Sequence, residues 1–115
     1  MADLTISIAK DFSQYPAGRT RRDGPNSAER FREDILIPTI QKAVAVGVRV
    51  IVELDGVYGY SSSFLEETFG GLVRRKVFSP KDIARILVIS AKSPIYAAVK
   101  MDAESYLRDE LMHAA

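Results

Sequence analysis

The sequence predicts a single α/β domain with a largely parallel sheet, and three observations carry the prediction. Three short apolar segments have strand character: Leu4, Ile6 and Ile8 alternating with Thr5 and Ser7, then Val48 to Leu54, then Ile86 to Ile89. Segments of helical spacing follow them, opening on serine or asparagine. Strands that alternate with helices lie parallel and are joined by right-handed crossovers. At 115 residues the chain suits one domain with a substantial hydrophobic core.

The elements can be justified in order. After the first strand, the polar stretch from Lys10 to Pro25 holds Pro16, Gly18, Gly24 and Pro25, with room for a short strand near Arg19–Arg22. Asn26-Ser27-Ala28-Glu29 reads as a helix start, with Glu29 placed for a capping box on Asn26. Phe31, Ile35, Ile40, Ala43 and Val44 continue at helical spacing, Pro38 should kink or divide that helix, and Gly47 ends it. The near-continuous apolar run Val48–Leu54 predicts a strand covered on both faces or central in its sheet. Ser62 or Ser63 is expected to cap the next helix, whose apolar face is Phe64, Leu65, Phe69, Leu72 and Val73. Gly70-Gly71 weakens that helix by roughly 1 kcal/mol per Gly, which predicts close packing there. Ser79-Pro80-Lys81-Asp82 reads as a turn or one helical turn before the third strand. Ser93-Pro94 opens a last helix that carries Ile95, Val99, Tyr106, Leu107 and Leu111, with Asp102, Glu104, Asp109 and Glu110 outward.

Composition excludes several function classes. The net charge of +1 gives no bulk attraction for nucleic acid or membrane. The chain has no cysteine, hence no disulfide, thiolate metal site or thiol nucleophile. Its single histidine, His113, is the third residue from the C-terminus, which argues against His-based triads and most zinc chemistry. No apolar run approaches the ~20 residues of a membrane span. No secretory leader is visible, so a cytoplasmic location is expected.

The richest stretch is Val-Glu-Leu-Asp-Gly-Val-Tyr-Gly-Tyr-Ser-Ser-Ser-Phe-Leu, residues 52–65. Ser61, Ser62 and Ser63 place hydroxyls where a helix begins, a position that suits an anion or a phosphorylated side chain. The plainer reading is a cap and a turn. Serine nucleophilic catalysis lacks a base, since no internal histidine exists. Arg19, Arg21 and Arg22 are candidate anion-binding residues, against a plainer reading of solvated charge in local ion pairs. Asp55 suits a turn, or a phosphotransfer receiver site with Asp11 and Lys92. Tyr58 and Tyr60 mark either a recognition loop or core at the sheet edge. The loop after Asp55 and the Ser90–Ser93 loop both follow strand ends and are expected side by side.

This stretch resembles the STAS fold of anti-sigma-factor antagonists. Those proteins carry a strand, a loop and an Asp-Ser-Ser-Gly-Leu segment whose second serine is phosphorylated by a partner kinase. Here Ser61 stands in the place of the Asp, Ser62 and Ser63 match the serines, Phe64 replaces the Gly and Leu65 matches the Leu. The chain is more closely similar to a STAS-like family of unknown function, the DUF4325 type. That similarity lies in Gly18-Arg19-Thr20-Arg21-Arg22-Asp23-Gly24-Pro25 and in Ser62-Ser63-Phe64-Leu65-Glu66-Glu67-Thr68-Phe69-Gly70, and it covers nearly the whole chain.

The resemblance implies a single STAS-like domain over residues 1–115, a mixed sheet of about four strands packed with helices. It implies a non-enzymatic regulatory or protein-interaction module without cofactor or metal. Ser63, with Ser62 beside it, is the candidate phosphoacceptor. Asp55, Tyr58, Tyr60, Ser61 and Phe64 would form the interaction loop, and the partner would be a protein, an ATP-binding kinase-like regulator. The alternative is a small phospholigand- or nucleotide-binding protein that uses the serine-rich helix start and the arginine loop.

Overall fold

In the computed structural model, which describes residues 2–114, three parallel strands underlie a layer of helices. β1 (Leu4–Ser7) runs into a wide helical turn (Ile8–Phe12) and a polar segment containing one 3-10 turn (Arg21–Asp23). α1 (residues 28–46) leads to β2 (Val50–Glu53). α2 (residues 62–74) and α3 (Pro80–Ile86) lead to β3 (Leu87–Ser90), and a 3-10 turn (Pro94–Tyr96) enters α4 (Ala97–Ala114).

The strand order is β1-β2-β3, with Leu4, Val50 and Leu87 in one row and Ile6, Val52 and Ile89 in another. These six side chains share one face and belong to the core or pack on it. Thr5, Ile51 and Val88 share the other face, outside the core cluster. The apolar run of β2 therefore reflects its central place in the sheet, not cover on both faces.

The sheet has three strands and is wholly parallel, which corrects the expected four-stranded mixed sheet. The segment expected to supply the extra strand is used otherwise. The Asp23 carboxylate accepts from the backbone N–H groups of Arg19 (3.0 Å) and Thr20 (2.9 Å), which curls the chain. The carbonyls of Gly18 and Arg19 accept from the N–H groups of Ala28 (3.0 Å) and Glu29 (2.9 Å) and so close the start of α1. Backbone groups engaged in this way are not free for a sheet ladder. Gly18 lies at φ 91°, and a Cβ there would meet the Asp23 Cβ at 2.5 Å.

The helix boundaries follow local chemistry, with four departures from expectation. Ser27, not Asn26, caps α1 by accepting from the Arg30 N–H (3.2 Å), and the Glu29 carboxylate turns to the Arg21 N–H (2.9 Å). Pro38 does not divide α1. The turn before it, Arg32–Leu36, widens so that the Ile37 N–H reaches the Arg32 carbonyl, and the Thr39 hydroxyl donates to the Ile35 carbonyl (2.7 Å). Ser61, not Ser62 or Ser63, caps α2. Ser79 caps a seven-residue helix where a turn or a single helical turn was expected. Gly47 ends α1 in the left-handed region, as expected, at φ 77°.

α2 is the central helix, packed between α1 and α4. Phe64, Leu65, Thr68, Phe69, Gly70, Gly71, Leu72 and Val73 are all buried. The two glycines make room for charge. A Cβ on Gly71 would collide with the Arg32 guanidinium and meet the Glu67 carboxylate at 2.6 Å. One on Gly70 would meet the Glu66 carboxylate at 2.6 Å. Arg74 bridges Glu66 (2.5 Å) and Glu110 (2.9 Å), so Glu110 is a contact between α2 and α4, not a free outward charge. Ile95, expected on the apolar face of the last helix, is 78% exposed. Among the described residues no helix is long and apolar enough to cross a membrane.

Candidate functional site

The loops after β2 and β3 meet at the C-terminal end of the sheet, as the strand order requires. Asp55 ties them together. Its carboxylate accepts from the backbone N–H groups of Lys92 (2.9 Å) and Ser93 (2.8 Å), which hold it below the ordinary carboxylate value of 3.8. The Lys92 ammonium lies 3.3 Å from Glu53, not on Asp55, and Asp11 turns to the Ser7 N–H (2.8 Å). A receiver-type acidic site is therefore not assembled from Asp55, Asp11 and Lys92.

A carboxylate with a depressed folded pKa contributes stability above its unfolded value, and that stability is lost as pH falls through the folded value. Asp55→Asn is expected to flatten the acid limb of the stability–pH profile below about pH 5. Urea denaturation at stepped pH checks this, and an unchanged limb would reject the role given to Asp55.

The loop of residues 55–61 is held from both sides. Tyr96 donates its hydroxyl to the Val57 carbonyl (2.6 Å), and Tyr60 donates to the Leu54 carbonyl (2.7 Å). The Tyr58 N–H donates to the Gln14 carbonyl (3.0 Å), and the Gln14 amide donates to the Gly56 carbonyl (3.4 Å). The outcome for the two loop tyrosines is split. Tyr60 is largely buried, its ring 6.2 Å from Phe64, and burial pushes its hydroxyl pKa up. Tyr58 is 73% exposed and stacks on Tyr15, itself 64% exposed, with ring centroids 4.9 Å apart and planes 6° apart.

Phe64 does not belong to the exposed surface: it is fully buried and sits among Phe12, Phe31 and Tyr60. Of the interaction-loop residues expected from the sequence, Tyr58 and Ser61 are exposed, Asp55 is half-buried and engaged, and Tyr60 and Phe64 are anchors. Tyr15, Gln14 and Tyr96 were not expected in the site. Tyr15 sits in a polar stretch without periodicity, where only an aromatic beside Pro16 could have marked it.

The serines divide their roles. The Ser61 hydroxyl accepts from the Phe64 N–H (3.1 Å) and lies 3.2 Å from the Ser63 hydroxyl. Ser62 is exposed and Ser63 half-buried. Ser61→Ala is expected to cost about 1 kcal/mol, as loss of a cap does, and Ser62→Ala within about 0.5 kcal/mol. Thermal unfolding of both variants tests the division, and equal losses would contradict it.

The arginines do not converge on the serines. Arg19 reaches Glu66 (2.6 Å) and Glu67 (3.5 Å), and the Glu66 carboxylate raises its pKa. Arg21 reaches Asp34 on α1 (2.8 Å). Arg22 pairs with no carboxylate among the described residues. Local ion pairs thus occupy two of the three candidate anion-binding residues. The larger depressions also lie away from the loop: about 490 Å³ beside β1 and α1, and about 510 Å³ beside Val73, Arg74 and Lys76.

A family model described as a STAS-like domain of unknown function (DUF4325) matches residues 27–96. The chain belongs to this STAS-like family. The matched region takes in α1, β2, the 55–61 loop, α2, α3 and β3, which is the whole serine-bearing unit. The segment Gly18–Pro25 lies outside it, as do β1 and α4. No curated protein and no solved structure matched. The STAS-like domain thus has a family and a fold, while its site is described by geometry alone.

Proposed function

We propose that this STAS-like domain is a non-enzymatic regulatory module that binds another protein through the loop of residues 55–61 and the start of α2. The exposed Tyr15–Tyr58 stack carries the reading. Tyrosines are enriched where proteins meet, because they bring a large contact area with few rotatable bonds. Here the backbone beneath them is already held by Gln14, Asp55 and Tyr96, so little ordering remains to be done on binding. Ser62 and Ser63 border the same surface, and phosphate at a helix start is electrostatically tolerated, so phosphorylation at Ser63 or Ser62 by an ATP-binding kinase-like partner would alter it directly.

The test is co-purification from the source organism with wild-type protein and with Tyr58→Ala. A partner should be recovered with the wild type and fall by roughly ten-fold or more with the variant, as loss of an interface tyrosine does. A partner retained equally by both would sink the reading. The phospholigand alternative draws on the N–H groups of Ser62 and Ser63, which have no backbone partner among the described residues. A resonance titration with inorganic phosphate addresses it, since shifts at Ser62 and Ser63 would favour the alternative.

A further inference from the structure

β1 is an edge strand with one side unused. The Leu4 N–H donates to the Arg49 carbonyl at 2.9 Å, so Leu4 and Ile6 direct their backbone groups to β2 while Thr5 directs its N–H and C=O outward. The Ser7 N–H also points outward and is taken by Asp11. Beside this edge runs the depression of about 490 Å³, bounded on α1 by Ile35, Pro38, Thr39 and Lys42. These four positions follow i, i+3, i+4 and i+7, which makes them one stripe of the helix.

The depression has an acid, Asp11, at one end and a base, Lys42, at the other; Asp34, beside Asp11, is already paired with Arg21 (2.8 Å) and Arg30 (3.7 Å). Asp34 and Lys42 stand eight residues apart on α1, about 12 Å along the axis. Asp11 shares a smaller depression of about 210 Å³ with Asp34, which places it at the Asp34 end. Lys42 pairs with no carboxylate among the described residues, and Asp11 pairs with no cation among them.

We infer that this edge joins a second copy of the chain: β1 pairs antiparallel with β1 of the copy about a two-fold axis at Thr5, and α1 packs on α1 of the copy along the Ile35–Lys42 stripe. The edge is complementary to itself in hydrogen bonding, in apolar contact, in helix spacing and in charge. Thr5 and its counterpart would exchange both backbone hydrogen bonds. Leu4 would lie opposite Ile6 of the copy, on the helix-covered face.

Helix spacing agrees as well. Strands stand ~4.8 Å apart and helices pack at ~8–10 Å, so a helix lying over β1 and β2 in each copy brings the two α1 helices to packing distance. The two-fold also sets Lys42 of each copy at the Asp11 end of the other. A strand from an unrelated protein would satisfy the hydrogen bonds but has no reason to match both charged ends. The four-residue edge makes the association weak and concentration-dependent. Both 55–61 loops remain free, at opposite ends of a continuous six-stranded sheet.

Sedimentation equilibrium from micromolar to millimolar concentration tests this with three proteins. The wild type should pass from monomer to dimer. Thr5→Pro removes only an outward N–H, which edge strands tolerate, and should remain monomeric. Lys42→Glu should weaken association by roughly ten-fold at low salt, because both charge contacts become repulsive. A wild type that stays monomeric at millimolar concentration would overturn the inference, and so would a dimer indifferent to both substitutions. If Thr5→Pro fails to fold, amide exchange in the wild type decides. Slowing of the Thr5 amide with rising concentration supports the edge pairing, and an exchange rate independent of concentration overturns it.

Discussion

Phe64→Ala should destabilise the domain by about 3–5 kcal/mol, the cost of truncating a fully buried phenylalanine. The ring is wholly excluded from solvent and has aromatic neighbours on several sides, with centroids 6.4 Å from Phe12, 6.3 Å from Phe31 and 6.2 Å from Tyr60. Those neighbours come from the turn after β1, from α1 and from the 55–61 loop, so no single element can move in to fill the cavity. The melting temperature should fall by about 10–20 °C for a domain of this size. Ser61 would still cap the helix, so the loss belongs to packing. A loss under about 1 kcal/mol would mean that the site collapses freely or that the ring is not a core anchor. The same packing explains how this chain carries a bulky residue directly after its serines. The position roots α2 in the core, while the hydroxyls one and two residues earlier stay near the surface.

Arg32→Ala should cost about 2–4 kcal/mol, and its dependence on Gly71 is the sharper part of the prediction. The Arg32 side chain is 5% exposed, and one terminal nitrogen donates to both the Glu67 carbonyl (2.7 Å) and the Glu67 carboxylate (2.9 Å). Its Nε has no hydrogen-bond partner among the described residues. Glu67 keeps longer contacts to Arg19 (3.5 Å) and Arg74 (3.8 Å), so removal of Arg32 does not leave it wholly unpaired. That places the loss below the figure for an isolated buried pair.

In the wild type, Gly71→Ala should destabilise by about 1–3 kcal/mol, because a new methyl group drives into the guanidinium. Helix propensity favours Ala over Gly by only about 1 kcal/mol and is outweighed. In the Arg32→Ala background the obstruction is gone, and Gly71→Ala should become neutral or stabilising. Chemical denaturation of the four proteins measures the coupling directly. Strict additivity would show that Gly71 is not there to admit Arg32.

The legible parts of this chain were those written in local chemistry. Apolar alternation located β1, β2 and β3 to within two residues at their starts, and the left-handed Gly47 ended α1 where its glycine predicts. Ser-Pro marked the starts of α3 and of the turn into α4. The cap positions shifted by one or two residues because several neighbouring polar side chains can each cap, and packing of the next apolar residue selects one. With Phe64 and Leu65 inward, Ser61 falls at the cap position; with Ala28 and Phe31 inward, Ser27 does. Pro38 was expected to kink or divide α1; it does not divide it, because a wide turn and the Thr39 hydroxyl accommodate it.

The candidate site was legible as a place more than as a set of roles. Asp55 to Ser63 was found because a strand, a glycine turn and a serine-rich helix start are consecutive in the chain. Tyr60, open between recognition loop and core, and Phe64, placed both on the apolar face of its helix and in the interaction loop, are anchors, and Tyr15 and Tyr96 join from distant segments, because burial and cross-loop hydrogen bonds depend on neighbours the local sequence does not name.

By itself the sequence determined the α/β alternation, the strand cores, the helix punctuation and membership in the STAS-like family. These depend on periods of two and 3.6 residues and on short motifs, which act over a few positions. Tertiary structure alone decided the number of strands, the partners of the arginines, the need for glycine at 71 and the pairing of Tyr15 with Tyr58. Each of these depends on which backbone groups and volumes are already taken by residues far away in the chain. The arginine segment is the clearest case. Its composition permits a strand, but its carbonyls close the start of α1 and its side chains answer carboxylates on α1 and α2. That use leaves the outer edge of β1 open.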